Sequence, residues 1–336
     1  MMIKTPQQRQ RGIALLTVLL VLAVMTTIAA SFSERSRMAI RRSVNHSQYL
    51  QASWLALSAE ELAKRALKQD MEDADGTVHL QQYWATNEVI YPVEGGQIIG
   101  SVEDMRSCFN INALSQGLTD TEKQTNPNQK PLVQKQFQAM LEDMGLDLYL
   151  AEMAAERIHD YIDSDDRTSG SYGAEDGDYE AREVPYRAAN QLMWHHSEMR
   201  AVLGISQPMY EVLKKSVCAI PGDDTQVVNV NTVEAERASL LVGMFEGELS
   251  RGEVEDLIAN RPLEGWESIE DFWSESAVQN VTLNDTAKSA FVVDSSYFRF
   301  KGAAKVDNTV FRLESILQRS GSSQFVTLTR QYGGQQ

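Results

Sequence analysis

Residues 13–32 read Ile13-Ala14-Leu15-Leu16-Thr17-Val18-Leu19-Leu20-Val21-Leu22-Ala23-Val24-Met25-Thr26-Thr27-Ile28-Ala29-Ala30-Ser31-Phe32, a run without charge, glycine or proline. At about 1.5 Å per residue, such a helix is about 30 Å long, the thickness of a bilayer core. Before it lies a short polar segment, Met1 to Gly12, carrying Lys4, Arg9 and Arg11. After it, neither glycine nor proline occurs until Gly76. With no helix breaker, one helix is predicted from Ile13 to about Gln69. Beyond Phe32 its pattern turns amphipathic: Leu55, Ala59, Leu62 and Ala66 form one stripe, and Leu50, Trp54 and Leu57 an adjoining one. The inner half is expected in lipid and the outer half on a soluble domain. A plain single-span anchor followed by a separate helix is the simpler alternative.

A secretory signal peptide is a third reading. Ala29-Ala30-Ser31 would pass as its cleavage site, but the apolar run is long for one. The charge pattern leaves orientation open, because Arg35, Arg37, Arg41 and Arg42 follow the span. The whole chain has 336 residues, enough for about two domains. Its 31 basic and 47 acidic residues give a net charge of −16, which argues against nucleic acid as a partner.

Basic residues, then Gly12, then a purely apolar helix is a layout that resembles a type IV prepilin leader. The resemblance implies that a prepilin peptidase cuts after Gly12 and leaves Ile13 as the new N-terminus. It also places the N-terminus in the cytoplasm, one span in the bacterial inner membrane, and the bulk of the chain in the periplasm. Most proteins of that class carry Glu at the fifth mature position, where it pairs with a neighbour's terminal amine. Here that position is Thr17. A subunit without that charge suits a place with no subunit ahead of it, since an unpaired charge in a bilayer is costly. At this point the chain resembles the minor pseudopilin K family of type II secretion systems (the general secretion pathway protein K family), which also lacks the Glu.

The remaining pattern is α+β. Gln97 to Val102 reads as a strand, as do Tyr297–Phe300, Val310–Leu317 and Phe325–Arg330. Between them, Leu132–Leu141, Leu148–Ile162, Ala188–Leu203, Pro208–Val217, Val233–Phe245 and Arg251–Asn260 read as helices. This predicts a long N-terminal helix on a small antiparallel, pilin-like sheet, with a large helical domain inserted in that sheet. The segments are 1–12 leader, 13–32 span, 33–108 pilin-like helix and first strands, and 291–336 returning strands. Phe109-Asn110-Ile111-Asn112 echoes Val228-Asn229-Val230-Asn231, so the insert divides into related subdomains at 109–222 and 223–290. The second reads as a helix-hairpin-helix, of the SAM-like kind. Its hairpin, Glu246-Gly247-Glu248, is acidic where a DNA binder presents small residues.

Cys108 and Cys218 lie at the ends of the first subdomain. In an oxidising periplasm they can bridge, and the alternative is two buried thiols. Their place at both ends of one subdomain favours the bridge.

The segment 163–183 holds Asp163, Asp165, Asp166, Glu175, Asp176, Asp178, Glu180 and Glu183, opposed only by Arg167 and Arg182. Clustered carboxylates repel unless they are solvated or bridged by a cation. Oxygen donors suit Ca²⁺, and the loop has no His or Cys for Zn²⁺. It is not an EF-hand, since Arg167, Thr168 and Ala174 occupy key positions. A solvated acidic loop is the alternative. Gly173-Ala174-Glu175-Asp176, Tyr179, Pro185-Tyr186 and Asn190 resemble the family's calcium loop, which implies a structural calcium held by Asp163, Asp165, Glu175, Asp176 and Asp178. The resemblance further implies a tip-capping role in the pseudopilus, with minor pseudopilins I, J and H as partners. The outer surface would then be free to meet secreted substrates and the secretin. A membrane-anchored periplasmic binding or adaptor protein is the competing function. No phosphate loop, nucleophile elbow or zinc-protease pattern occurs, so no catalytic residue is named and no enzyme is expected.

Overall fold

The computed structural model describes residues 13–333, apart from 75, 87–88, 119–125, 127–128 and 322–323. The leader and Gly12 lie outside the described residues. Helix α1 (Ile13–Asp73) is continuous over 61 residues. Hydroxyls of Thr17, Thr26 and Thr27 donate back to the carbonyls of Ala14, Ala23 and Val24 at 2.9, 2.9 and 2.8 Å, which lets polar residues sit in an apolar span. From Ile13 to Ser47 every residue is exposed, and packing against the domain begins at Gln48.

The buried face of α1 is Ala52, Ala56, Ala59, Ala63, Leu67 and Met71. This corrects the predicted stripe. Leu62 and Trp54 point outward at 52% and 68% exposure. The reason is steric. The facing sheet is aromatic, with Phe298, Phe300 and Phe311 in the same core, and alanines let the helix lie close to it. Each buried Phe or Leu there contributes about 1.5–3 kcal/mol.

Strands β1 (Val89–Val93) and β2 (Gly96–Asp104) follow the helix. The chain then leaves the sheet. Its first excursion holds β3 (Phe109–Asn110), α2 (Leu132–Asp143), α3 (Leu148–Ile162), α4 (Asp176–Glu180), α5 (Gln207–Leu213) and β4 (Val217–Cys218). The second holds β5 (Val228–Asn229), α6 (Ala238–Met244), α7 (Arg251–Ala259), α8 (Ile269–Ser274), α9 (Asp285–Ser289) and β6 (Phe291–Val292). Strands β7 (Tyr297–Val306), β8 (Thr309–Ser320) and β9 (Gln324–Tyr332) return to the sheet. Its order is β1-β2-β7-β8-β9, with every neighbouring pair antiparallel. The β7–β8 hairpin closes on Asp307-Asn308, where Asp307 takes a φ of 50°. Aspartate tolerates that left-handed conformation better than most residues.

The insert sits at the end of the sheet nearest the C-terminus of α1. Just past the C-terminus of α1, Val78 N donates to Val293 O at 2.9 Å, and Val78 O accepts from Asn229 Nδ2 at 3.1 Å. The opposite end of the sheet lies lower on the helix, where Gln48 Nε2 donates to Asp307 Oδ2 at 2.7 Å.

The sequence echo in the insert is a structural one. β3 pairs with β4, and β5 with β6, each parallel. In each copy the second asparagine extends this pairing with its side-chain amide. Asn112 accepts from Met193 N at 2.7 Å and donates to Met193 O at 2.9 Å. Asn231 accepts from Trp266 N at 2.8 Å and donates to Trp266 O at 3.0 Å. Both asparagines are buried, so unpaired amides there would be costly.

The two excursions share one hydrophobic core, running from Phe109 through Phe137 and Phe245 to Phe291. They meet tightly where a Cβ on Gly243 would approach Gln136 O to 2.5 Å.

The predicted helix Ala188–Leu203 does not form. Only a 3₁₀ turn, His196–Ala201, occurs there. Asn190 adopts a φ of 45°, and the backbone N–H groups of Ala188 and Met193 bond to Asp176 and Asn112 side chains instead of to a helical turn.

Buried charge fixes the neck between sheet and insert. Asp104, at the end of β2, accepts from Ser295 Oγ, Thr232 Oγ1, Asn229 Nδ2 and Arg106 N at 2.5, 2.6, 3.0 and 2.8 Å. Burial raises its pKa against the pull of those donors. For Glu103 burial also opposes ionisation, but Arg299, Arg237 and Lys301 outweigh it and hold its carboxyl at about 2. His195 and His196 lie at another insert–sheet contact, with His195 Nε2 4.0 Å from Glu314. Burial, with the neighbouring His195 and Arg299, drives His196 down to about 3, so it is neutral at physiological pH.

Candidate metal centre

Helix α3 starts cleanly because Asp147 caps it, accepting from Leu150 N at 2.8 Å. Along its last turns, Glu156, Asp160 and Asp163 fall at i, i+4 and i+7, on one side of the helix. The following loop folds back over these carboxylates. Tyr172 N donates to Glu156 Oε2 at 2.6 Å, and Ser169 N to Asp160 Oδ1 at 3.0 Å. The return is tight enough to exclude side chains. A Cβ on Gly170 would lie 2.1 Å from Glu156 Oε1, and Gly170 takes a φ of 64°. A Cβ on Gly173 would lie 2.1 Å from Asp160 Oδ2.

Folding the loop back brings together Asp163, Asp165 and Glu175, each offering a carboxylate oxygen, all within 4.8 Å of one another. Asp163 Oδ1 and both Glu175 oxygens are buried without a protein hydrogen-bond partner, and so is Asn190 Oδ1. The other end of that amide, Asn190 Nδ2, donates to Asp166 Oδ1 at 3.2 Å. Burial, then the charges of Asp160, Asp163, Asp166 and Asp165, push Glu175 up to about 7. Burial likewise raises Asp160 to about 6, opposed by Ser169 and by His159. Asp163 is raised for the same first reason. Orphaned acidic oxygens converging at one point fit a hard divalent cation, which would supply the missing partner and favour the ionised forms.

The structure separates the five residues proposed from sequence. Asp163, Asp165 and Glu175 meet. Asp176 and Asp178 do not join them, because both lie in the first turn of α4 and bond elsewhere. Asp176 Oδ1 accepts from Ala188 N at 3.0 Å and its Oδ2 lies 3.7 Å from Arg187. Asp178 Oδ2 accepts from Glu175 N at 3.2 Å. Sequence reasoning missed Asp160 and Glu156, although their spacing on a helix carried the signal. It also placed no histidine near the loop. His159 is there: its Nδ1 bonds Leu114 O, and its Nε2 lies 3.4 Å from Asp163. The other sequence-named residues are placed separately. Ile13 opens α1, Thr17 is satisfied within it, and Cys108 and Cys218 form a disulfide at the neck.

Two family models match the insert, at residues 107–222 and 228–294, both described as type II secretion system (T2SS), protein K. A type II secretion system protein K of Aeromonas hydrophila is 37% identical over 327 residues, 97% of this chain and 98% of that protein. The chain belongs to the type II secretion system protein K family.

Other members resemble it over nearly their whole length. The protein K of Pseudomonas aeruginosa is 31% identical over 96% of this chain and 93% of its own. Among solved structures, a chain in the crystal structure of the GspK-GspI-GspJ complex from the enterotoxigenic Escherichia coli type 2 secretion system superposes with a TM-score of 0.77. It is 32% identical and covers 88% of this chain and 100% of that one. For a protein K, the long helix, the antiparallel sheet and the helical insert are thus features shared with a solved relative.

Proposed function

We propose that this chain caps the tip of a periplasmic pseudopilus, assembled with minor pseudopilins I and J, and thereby supports export of folded proteins across the outer membrane. The observation that carries the proposal is the position of the insert. It stands at the end of the sheet away from Ile13–Phe32, tied to Val78 beyond the end of α1. A body at that end blocks another subunit from stacking above while leaving the lower helix free to bundle with subunits below. Thr17 supports the same position, since it offers no carboxylate to a terminal amine ahead. The relative that superposes was crystallised as a complex with GspI and GspJ. In this reading Ile13–Phe32 spans the inner membrane and prepilin peptidase cuts after Gly12. The exposed top of the insert then faces secreted substrates and the secretin. The test is to recover assembled pseudopili carrying an epitope-labelled full chain. The label is expected at one end only, on a chain whose terminal peptide starts at Ile13. Label along the filament, or a terminus at Met1, would sink the proposal.

The same loop that closes over α3 is proposed to hold a structural calcium ion. Asp163, Asp165 and Glu175 would hold it, with the Asn190 amide oxygen and Asp160 beside them. The ion supplies positive charge that lets buried carboxylates stay ionised, and ties the loop to α3. At about 100 times its dissociation constant, calcium is expected to stabilise the fold by about 2.7 kcal/mol. In D163N/D165N/E175Q, melting should be the same with calcium or chelator. If calcium leaves the melting of the unaltered chain unchanged, this part of the reading fails.

A further inference from the structure

The arginines just outside the span have no role in the fold. Arg35, Arg37, Arg41 and Arg42 lie on α1, where every residue up to Ser47 is exposed. Among the described residues, none forms an ion pair, hydrogen bond or ring contact with these four guanidinium groups. Packing against the sheet starts only at Gln48, so they belong to a bare length of helix between the membrane and the domain.

Their spacing is distinctive. At about 100° per residue, Arg35 and Arg42 project to one side and Arg37 and Arg41 to the opposite side. A partner helix would be met by one face, and a charged layer would be met by a ring. From Phe32, the four Cα atoms stand about 4.5 to 15 Å along the axis. The headgroup region extends about 5–7 Å beyond the hydrocarbon core on each side. Arginine side chains bend along the helix toward such a layer, which brings Arg35 and Arg37 into it and Arg41 and Arg42 to its outer edge. The rest of the chain carries strong acidic excess, with a net charge of −16 overall. An anionic surface would repel it, and this ring is the local exception.

We propose that Arg35, Arg37, Arg41 and Arg42 form a girdle that binds anionic phospholipid headgroups at the outer end of the membrane span. The inference rests on the membrane reading of residues 13–32 and is independent of the tip position. A cationic side chain near an anionic leaflet, Lys or Arg, gains on the order of fivefold in local affinity. Loss of the leader would remove the basic residues on the other side of the span. The girdle would then hold the helix by its outer end alone, setting how deeply it sits before assembly.

The test uses the full chain purified in detergent and offered equimolar phosphatidylglycerol and phosphatidylcholine, with retained lipid counted by native mass spectrometry. The unaltered chain is expected to prefer phosphatidylglycerol by about fivefold or more. R35Q/R37Q/R41Q/R42Q is expected to lose the preference with unchanged melting, and the all-lysine variant to keep it. No preference in the unaltered chain overturns the proposal, as does a preference that survives the glutamine changes or is lost with lysine. Pseudopili labelled along their length would instead overturn the tip position and leave this result standing.

Discussion

Replacing Glu60 with alanine is expected to cost about 3 kcal/mol or more, since two hydroxyls lose a charged acceptor at about 1.5–3 kcal/mol each. Glu60 is fully buried on α1, facing the last two strands. Its carboxylate accepts from Ser315 Oγ and Thr327 Oγ1, each at 2.6 Å, and from Arg330 Nε and Nη2 at 2.8 and 2.9 Å. Lys64 Nζ lies 3.0 Å away. Alanine would leave the hydroxyls of Ser315 and Thr327 without their acceptor under a helix, and the partly exposed Arg330 without its partner. Strand β9, an edge strand, contributes two of these partners, so its docking on α1 should loosen first. Denaturant unfolding of the full chain in detergent measures the loss. A cost below about 1 kcal/mol, the value of an exposed pair, would show that the cluster is solvated in practice. Removing both ends, as E60M/R330M, should recover much of the loss, because a buried pair is often replaceable by apolar residues of similar volume.

The same cluster sets a pH dependence. Burial alone would raise the pKa of Glu60, but hydrogen bonds from Arg330, Ser315, Thr327 and Lys64 outweigh it and hold it at about 2, below the usual 4.5. A depressed acid stabilises the fold above its unfolded pKa and loses that contribution as pH falls through the folded one. The alanine variant should therefore be destabilised fully at pH 7 and progressively less between about pH 4.5 and 2. The gap at stake is roughly 3 kcal/mol. A destabilisation that stays constant down to pH 2 would mean that packing, not charge, explains the effect.

Glu60 also shows where sequence reading stops. Helix α1 was legible because nothing in its length breaks a helix. Its buried face was not, because hydrophobicity alone favours Leu62 and Trp54 over alanines and a glutamate. Only the aromatic sheet, brought in from more than 200 residues away, makes small side chains and one charge the better fit. Helix α3 has the bounds that its sequence predicts, Leu148–Ile162. The stretch from Ala188 to Leu203 has a helical pattern but holds only a 3₁₀ turn, because its bonds are not local. Its backbone is held by Asn112 and Asp176, which no local pattern reveals. In the candidate metal centre, composition located the loop, and Asp163, Asp165 and Glu175 do converge. Composition could not distinguish a loop carboxylate from one spent on the first turn of α4, as Asp176 and Asp178 are. The repeated asparagines were visible as an echo, but their chemistry, a side-chain amide pairing with a distant backbone, needed the fold.

Replacing Cys108 and Cys218 together by alanine is expected to cost about 4–5 kcal/mol in the chain-entropy model. The bridge spans 110 residues, and a loop of that length loses much freedom in the unfolded chain when its ends are tied. The folded state should be little altered, because other bonds hold the same place. Phe109 N donates to Ser216 O at 2.8 Å, and Ile220 N to Asn110 Oδ1 at 3.1 Å, whether or not the sulfurs are joined. The site is also a joint, since the two half-cystines pack with Met105, Ile220 and Ile316, and against Tyr297 and Leu328 of the sheet. Alanine leaves most of that cluster in place. Both sulfurs are buried, so reductant should act slowly on the native chain and quickly once denaturant opens it. Unfolding of the oxidised chain is then expected at higher denaturant than that of the variant. Reductant in the denaturant series should bring the unaltered chain down close to the variant and leave the variant unmoved. A gap under about 1 kcal/mol would mean that the reduced, unfolded chain already keeps residues 108–218 together, so that the bridge constrains little.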